Sequence, residues 1–156
     1  SRFETAIEKT TELGVSQIYP MITQNTNSIF IKKINKKAMN RMKNIAISAA
    51  EQCGNDFIPQ IHSPINLDKI LEFQDKETKF ILYYENSKFT NKTELKISDY
   101  KRIIILIGPE GGFTESEYTQ ISKSSLVFSL GENILRTETA SICAVHEVSQ
   151  ILRSTL

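Results

Sequence analysis

At 156 residues, with 40% hydrophobic and 24% charged side chains, the chain is long enough to bury a core unaided and too apolar for a disordered segment. Its longest purely aliphatic run, Ile103 to Ile107, is far too short to span a bilayer. A formal net charge of +1 excludes bulk basicity as a route to nucleic acid and leaves only local clusters, the densest being Lys32, Lys33, Lys36, Lys37, Arg41 and Lys43, which read equally as a solvated helix face.

Phe3, Ala6, Ile7, Thr10 and Leu13 recur at helical spacing and Gly14 stands where a left-handed cap is wanted, which predicts a first helix. Val15 to Ile22 predicts a short strand, with Pro20 marking an edge or strand end, and a polar loop runs from Gln24 to Ser28. Ala38, Met39, Met42, Ile45, Ala46, Ala49 and Cys53 share one face of a longer helix closed by Gly54, and the methionines are expected in the core. A brief strand at Ile58 to Ile61 and a short helix at Leu67 to Phe73 follow, then a strand at Lys79 to Tyr84. Asn86 to Asp99 is polar and aperiodic and reads as a surface connection.

Arg102 to Ile107 has the near-continuous aliphatic character of a strand covered on both faces, and is expected at the centre of a parallel sheet. Thr114-Glu115-Ser116-Glu117 has capping-box spacing and starts a helix. A last strand, Leu126 to Leu130, leads to a final helix from about Glu138, whose apolar residues surround most of its circumference. Alternating strands and helices predict an α/β fold with a mostly parallel sheet. Cys53 and Cys143 belong to no metal or disulfide pattern and are expected as buried helix residues; His62 and His146 lack ligand-spaced partners. The start Ser1-Arg2-Phe3-Glu4 carries no leader pattern, so a cytoplasmic location is expected. It also carries no initiating methionine, so an N-terminal region is expected to be missing.

Two loops link a strand end to a helix start, where open α/β sheets bind ligands. The first, Leu106-Ile107-Gly108-Pro109-Glu110-Gly111-Gly112-Phe113-Thr114, has three glycines that let backbone approach a ligand, yet it matches neither the dinucleotide nor the phosphate-loop pattern. Taken alone it is equally a tight turn. The second, Ser129 to Ala140, holds Arg136 and Glu138 close together; its plain reading is a helix start with Thr137 as cap and Glu138 at the positive end of the dipole.

Together, Ile107 to Thr114 and Leu130 to Ala140 resemble the signature loops of the RsmE family of ribosomal RNA uridine-N3 methyltransferases. Glu8 to Val15, Ile18-Tyr19-Pro20 and Ala49 to Gly54 extend the resemblance in order over nearly the whole chain. It implies that residues 1–156 form one SPOUT-type α/β domain: a mostly parallel sheet flanked by helices, with a C-terminal trefoil knot, a rare exception to the topology rules. It further implies S-adenosylmethionine as cofactor, 16S ribosomal RNA of the small subunit as substrate, a homodimer, and an N-terminal PUA-like RNA-binding barrel that this chain lacks. By the same resemblance the cofactor would be held by Tyr84, Glu85, Ile107, Gly108, Pro109, Glu110, Gly111, Gly112, Leu130, Gly131, Ile134, Leu135, Arg136, Thr137 and Ala140. The family usually has arginine where this chain has Asn133.

Uridine N3 bears a proton, so methylation there needs a base or a group that stabilises the anion. Arg136 is the candidate for charge stabilisation and Glu138 for the base, with Glu110 in reserve; no metal is required. A rival reading is a catalytically inactive SPOUT-fold module that binds RNA or a nucleotide. A small phosphotransfer or hydrolytic enzyme ranks below both, lacking the lysine, nucleophile or metal set.

Overall fold

The computed structural model describes residues 1–84 and 96–154. Six helices and seven strands occur among them: α1 (Arg2–Glu12), β1 (Gln17–Ile18), β2 (Met21–Ile22), α2 (Ser28–Lys33), α3 (Lys36–Cys53), β3 (Gln60–Ile61), β4 (Ile65–Asn66), α4 (Leu67–Leu71), β5 (Thr78–Tyr83), β6 (Arg102–Ile107), α5 (Glu115–Ser122), β7 (Ser125–Phe128) and α6 (Thr137–Ser154). The main sheet has the order β6-β5-β7, all parallel; β1 pairs with β3 and β2 with β4, also in parallel.

The sheet's two faces are visible in the alternation of β5. Phe80 and Leu82 point into a cluster with Leu67, Ile70, Leu106, Phe113 and Ile121, beneath α4 and α5. Ile81 and Tyr83 point the other way, to Phe128, Ala144 and Val148, beneath α6. Phe80, Ile81 and Leu82 are wholly buried, and each contributes about 1.5–3 kcal/mol of transfer free energy. A third cluster, Ile7, Met42, Ala46 and Ile61, joins α1, α3 and β3.

Helix boundaries follow local chemistry. Ser1 and Glu4 form a capping box at α1, Asn35 caps α3 by accepting from Ala38 N, and Gly54 closes α3 in the left-handed conformation. Thr114 and Glu117 form the expected box at α5. No helix among the described residues is long and apolar enough to cross a membrane.

Several expectations are corrected. Arg102–Ile107 is not the central strand: β5 is, and β6 lies at the edge of the described sheet. Nor is it covered throughout: only Leu106 is buried, and Ile103, Ile104, Ile105 and Ile107 stay half-buried, because an edge strand lacks a neighbour on one side. The predicted strand at 15–22 is two short strands interrupted at Pro20, which cannot donate to a ladder. No sequence pattern predicts helix α2 or strand β4. Cys53 is exposed and Cys143 half-buried, so neither is a core residue. Of the connection expected at 86–99, residues 86–95 lie outside the described residues, and Ile97 is fully buried against the α6 face of the sheet.

Candidate functional site

The loops after β6 and β7 meet. Thr137 Oγ1 points at Gly108 O across 3.4 Å, and between the loops lies a pocket of about 280 Å³, close to the lower bound of about 300 Å³ for small-molecule sites. Ile107, Gly108, Pro109, Glu110, Gly112 and Phe113 form one wall. Ile134, Leu135, Arg136, Thr137 and Ala140 form the other, and Tyr83 and Arg2 complete the lining. Another depression, over Glu115, Ser116, Thr119, Gln120 and Lys123, belongs to α5 alone and engages no strand end.

Ten of the residues expected to hold a cofactor therefore line one pocket. Tyr84, Gly111, Leu130 and Gly131 do not; Glu85 lies outside the described residues. The Tyr84 ring turns to Tyr118, with centroids 4.3 Å apart, and Leu130 packs on the α6 face of the sheet. Gly131 is already engaged: Ser129 Oγ donates to its carbonyl at 2.7 Å and accepts from its N–H at 3.2 Å. Asn133 is exposed and outside the lining.

The glycine loop is shaped by contacts from far along the chain. Gly112 N donates to Pro109 O at 2.8 Å, closing a tight turn, and Gly112 itself has φ of 69°, a conformation side chains with a Cβ disfavour. Asn25, in the polar loop after β2, donates from one amide nitrogen to both Gly111 O (3.0 Å) and Gly112 O (3.1 Å). A Cβ on Gly111 would lie 3.0 Å from Asn25 Cβ, so it is Asn25, and not the pocket, that crowds a side chain there. The Asn25 loop is itself anchored, because Gln24 N donates to the buried Glu117 carboxylate at 2.8 Å.

Charge is concentrated at the pocket mouth. Arg2, from the first turn of α1, pairs with Glu110 and stands 3.9 Å from Glu138 Oε1. Glu138 is only 15% exposed, and its second oxygen, Oε2, is buried without a hydrogen-bond partner. Arg136 is exposed and makes no ion pair among the described residues. The reading of Thr137 as a cap is corrected: Ala140 N bonds to Arg136 O at 2.8 Å, so Arg136 occupies the cap position and Thr137 is the first helical residue. Tyr83 OH donates to Glu147 Oε2 at 3.1 Å, and burial together with Glu147 pushes the phenol's pKa up, so it stays a neutral donor.

The sequence offered little sign of Arg2, Tyr83, Phe113 or Asn25. Phe113 stands inside the glycine motif, and Tyr83 is separated from the expected Tyr84 only by which way alternate strand residues point. Arg2 and Asn25 lie 108 and 86 residues from their partners Glu110 and Gly111, beyond any local pattern.

The pocket brings charged side chains of both signs together, with Arg2, Arg136 and Glu110 in its lining and Glu138 3.9 Å from Arg2. Residues of the two loops form its walls, with Phe113, Leu135 and Ala140 as apolar surface. Among the described residues no group of three or more His, Cys, Asp or Glu could hold a metal ion.

Comparison with known proteins identifies the family. The model of the RNA methyltransferase domain family matches residues 1–149. A ribosomal RNA small subunit methyltransferase E from Mesomycoplasma hyopneumoniae is 35% identical over 142 residues, covering 90% of this chain and 60% of its own length. The structure of a ribosomal RNA small subunit methyltransferase E from Neisseria gonorrhoeae bound to S-adenosyl methionine superposes with a TM-score of 0.84 at 28% identity, covering 96% of this chain and 61% of that one. A putative methyltransferase from Legionella pneumophila, in complex with its bound cofactor SAM, gives 0.77 at 36% identity over the same shares, 96% and 61%. The chain thus spans about three fifths of the length of these proteins. The resemblance to the RsmE family is borne out.

Proposed function

Since the chain belongs to the RNA methyltransferase domain family, we propose that it is the catalytic domain of an S-adenosylmethionine-dependent enzyme that methylates N3 of a uridine in 16S ribosomal RNA. The observation that carries this reading is one pocket built by the two strand-end loops, with Arg136 in its lining and Glu138 3.9 Å from the lining residue Arg2. The bound cofactor would supply an electrophilic methyl group on a sulfonium.

The chain's own residues then have three tasks. The loops at Ile107–Gly112 and Ile134–Thr137 hold the nucleoside part and exclude water, which places the reacting groups in line. Glu138, whose Oε1 stands 3.9 Å from Arg2 of the pocket lining, takes the proton from N3. Arg136, unpaired and on the pocket wall, stabilises the negative charge that develops on the uracil carbonyl oxygens, or orients a neighbouring phosphate. A non-catalytic binding module is not favoured, because the similar proteins are methyltransferases, one of them bound to S-adenosyl methionine.

The same proposal includes a SPOUT-type trefoil knot formed as the C-terminal segment passes through a preceding loop; the meeting of the β6 and β7 loops is consistent with it. It includes an N-terminal PUA-like RNA-binding domain in the full-length protein, a cytoplasmic site of action on the small ribosomal subunit, and a homodimer. For the dimer, α6 buries only Ala144 and Val148 fully and leaves Ile142, Val145, Ile151 and Leu152 half-covered, while Ile134 at the pocket is 80% exposed.

The test is transfer of labelled methyl groups from S-adenosylmethionine to small-subunit ribosomal RNA by the intact protein, followed by nucleoside analysis. N3-methyluridine is the expected product. Absence of transfer sinks the enzyme reading, and label in another nucleoside sinks the specificity.

A further inference from the structure

Between Leu13 and Ala50 the chain contains six cations, Lys32, Lys33, Lys36, Lys37, Arg41 and Lys43, and not one aspartate or glutamate. With the whole chain at +1 and this stretch at +6, the remainder carries −5. The near-neutral total therefore conceals a strong separation of charge.

The fold gathers these cations on the end of α2 and the first turns of α3, and all six are exposed. Arg41 pairs with Glu4, but the five lysines form no ion pair among the described residues. Stability does not account for them: Lys36 and Lys37 occupy the first turn of α3, where the helix dipole disfavours cations and no acidic residue compensates. An unpaired cluster placed against the local field is suited to an external polyanion.

Its position says which one. The Phe30 ring of α2 packs edge-on against Phe3 at 5.3 Å, next to Arg2 on the pocket lining. The loop leading into α2 carries Asn25, which holds the wall of the same pocket. Lys32 and Lys33 follow Phe30 by only two and three residues of α2, a rise of about 3 to 4.5 Å, which keeps them near the Phe3–Phe30 contact beside Arg2.

We propose that the α2–α3 lysines form a phosphate-binding platform that holds substrate RNA beside the pocket. This rests on the reading of the domain as an RNA methyltransferase and extends it to the surface that grips the strand. The cluster engages backbone phosphates and carries no sequence preference of its own.

The experiment uses the intact protein with small-subunit ribosomal RNA as the probe, comparing the parent with a Lys32→Gln, Lys33→Gln, Lys36→Gln, Lys37→Gln variant. A control variant removes the same charge elsewhere, at Lys69, Lys76, Lys96 and Lys123. The platform variant should bind RNA at least about tenfold more weakly. Its plot of log affinity against log salt should be shallower by about 0.7 for each phosphate that the variant no longer neutralises, while S-adenosylmethionine affinity is unchanged. Parental RNA affinity and salt slope in the platform variant overturn the proposal, as does an equal loss in the control, which would reduce the effect to net charge. If the platform variant loses RNA but the parent neither binds the cofactor nor transfers methyl groups, the platform stands and the enzymatic reading falls.

Discussion

Replacing Asn25 tests whether the glycine loop is held in its ligand-ready form from outside. Asn25→Ala removes two hydrogen bonds, to Gly111 O and Gly112 O. Each neutral bond contributes about 0.5–1.5 kcal/mol; because Asn25 is exposed and water can replace the missing donors, the lower half applies, about 1–2 kcal/mol for the pair. If that energy orders the loop for binding, S-adenosylmethionine affinity should fall about 5- to 30-fold. Asn25→Asp should be worse, since it sets a carboxylate against two carbonyl oxygens. Calorimetric titration measures the affinity, and thermal unfolding, expected to drop by about 2–8 °C, measures the structural part. Both variants binding within twofold of the parent while melting earlier would show that Asn25 braces the fold and has no part in the site.

Gly111→Val should weaken cofactor binding through the same contact, so in a double-mutant cycle with Asn25→Ala the losses should fall short of additive by at least about 0.5 kcal/mol; strict additivity would show two independent effects. Glu117→Ala loses bonds from Thr114 N and Gln24 N to a buried carboxylate, and urea unfolding should report a loss of about 2–4 kcal/mol, against which a change below about 0.5 would count. Arg136→Ala and Glu138→Gln should each slow single-turnover methyl transfer by at least about tenfold, or about 1.4 kcal/mol in the barrier. If rates hold and only stability falls, the pair serves the helix start. Burial against Tyr19 lowers the pKa of His62, so its contribution to stability is full above about 6.5 and is lost as pH falls through the folded value. His62→Gln should accordingly lose less stability than the parent between pH 7.5 and pH 5; an equal loss would place the effect on carboxylates.

Helices α1 and α3, their glycine stops and the Thr114–Glu117 box were legible because their determinants lie within one or two turns of each other. Helix α2 was not: its Asn27 cap, accepting from Ile29 N at 2.8 Å, governs only six residues, too few for a period to emerge. Both pocket loops could be located from a strand pattern running into a helix pattern, and Arg136 with them. Gly111 looked like pocket wall because three close glycines cannot reveal which one faces a neighbour; the approach of Asn25 decides it.

By itself the sequence determined the alternation of strands and helices, the family, and the two loops where chemistry would gather, since each is written in neighbouring residues or in motif order. Only the tertiary structure decided that β5 is the central strand, that Tyr83 and not Tyr84 reaches the pocket, and that Arg2 and Asn25 belong to it. The physical reason is reach. Periodicity and capping act over three or four residues, whereas lateral strand order and contacts across 86 or 108 residues exist only once the chain has folded back on itself.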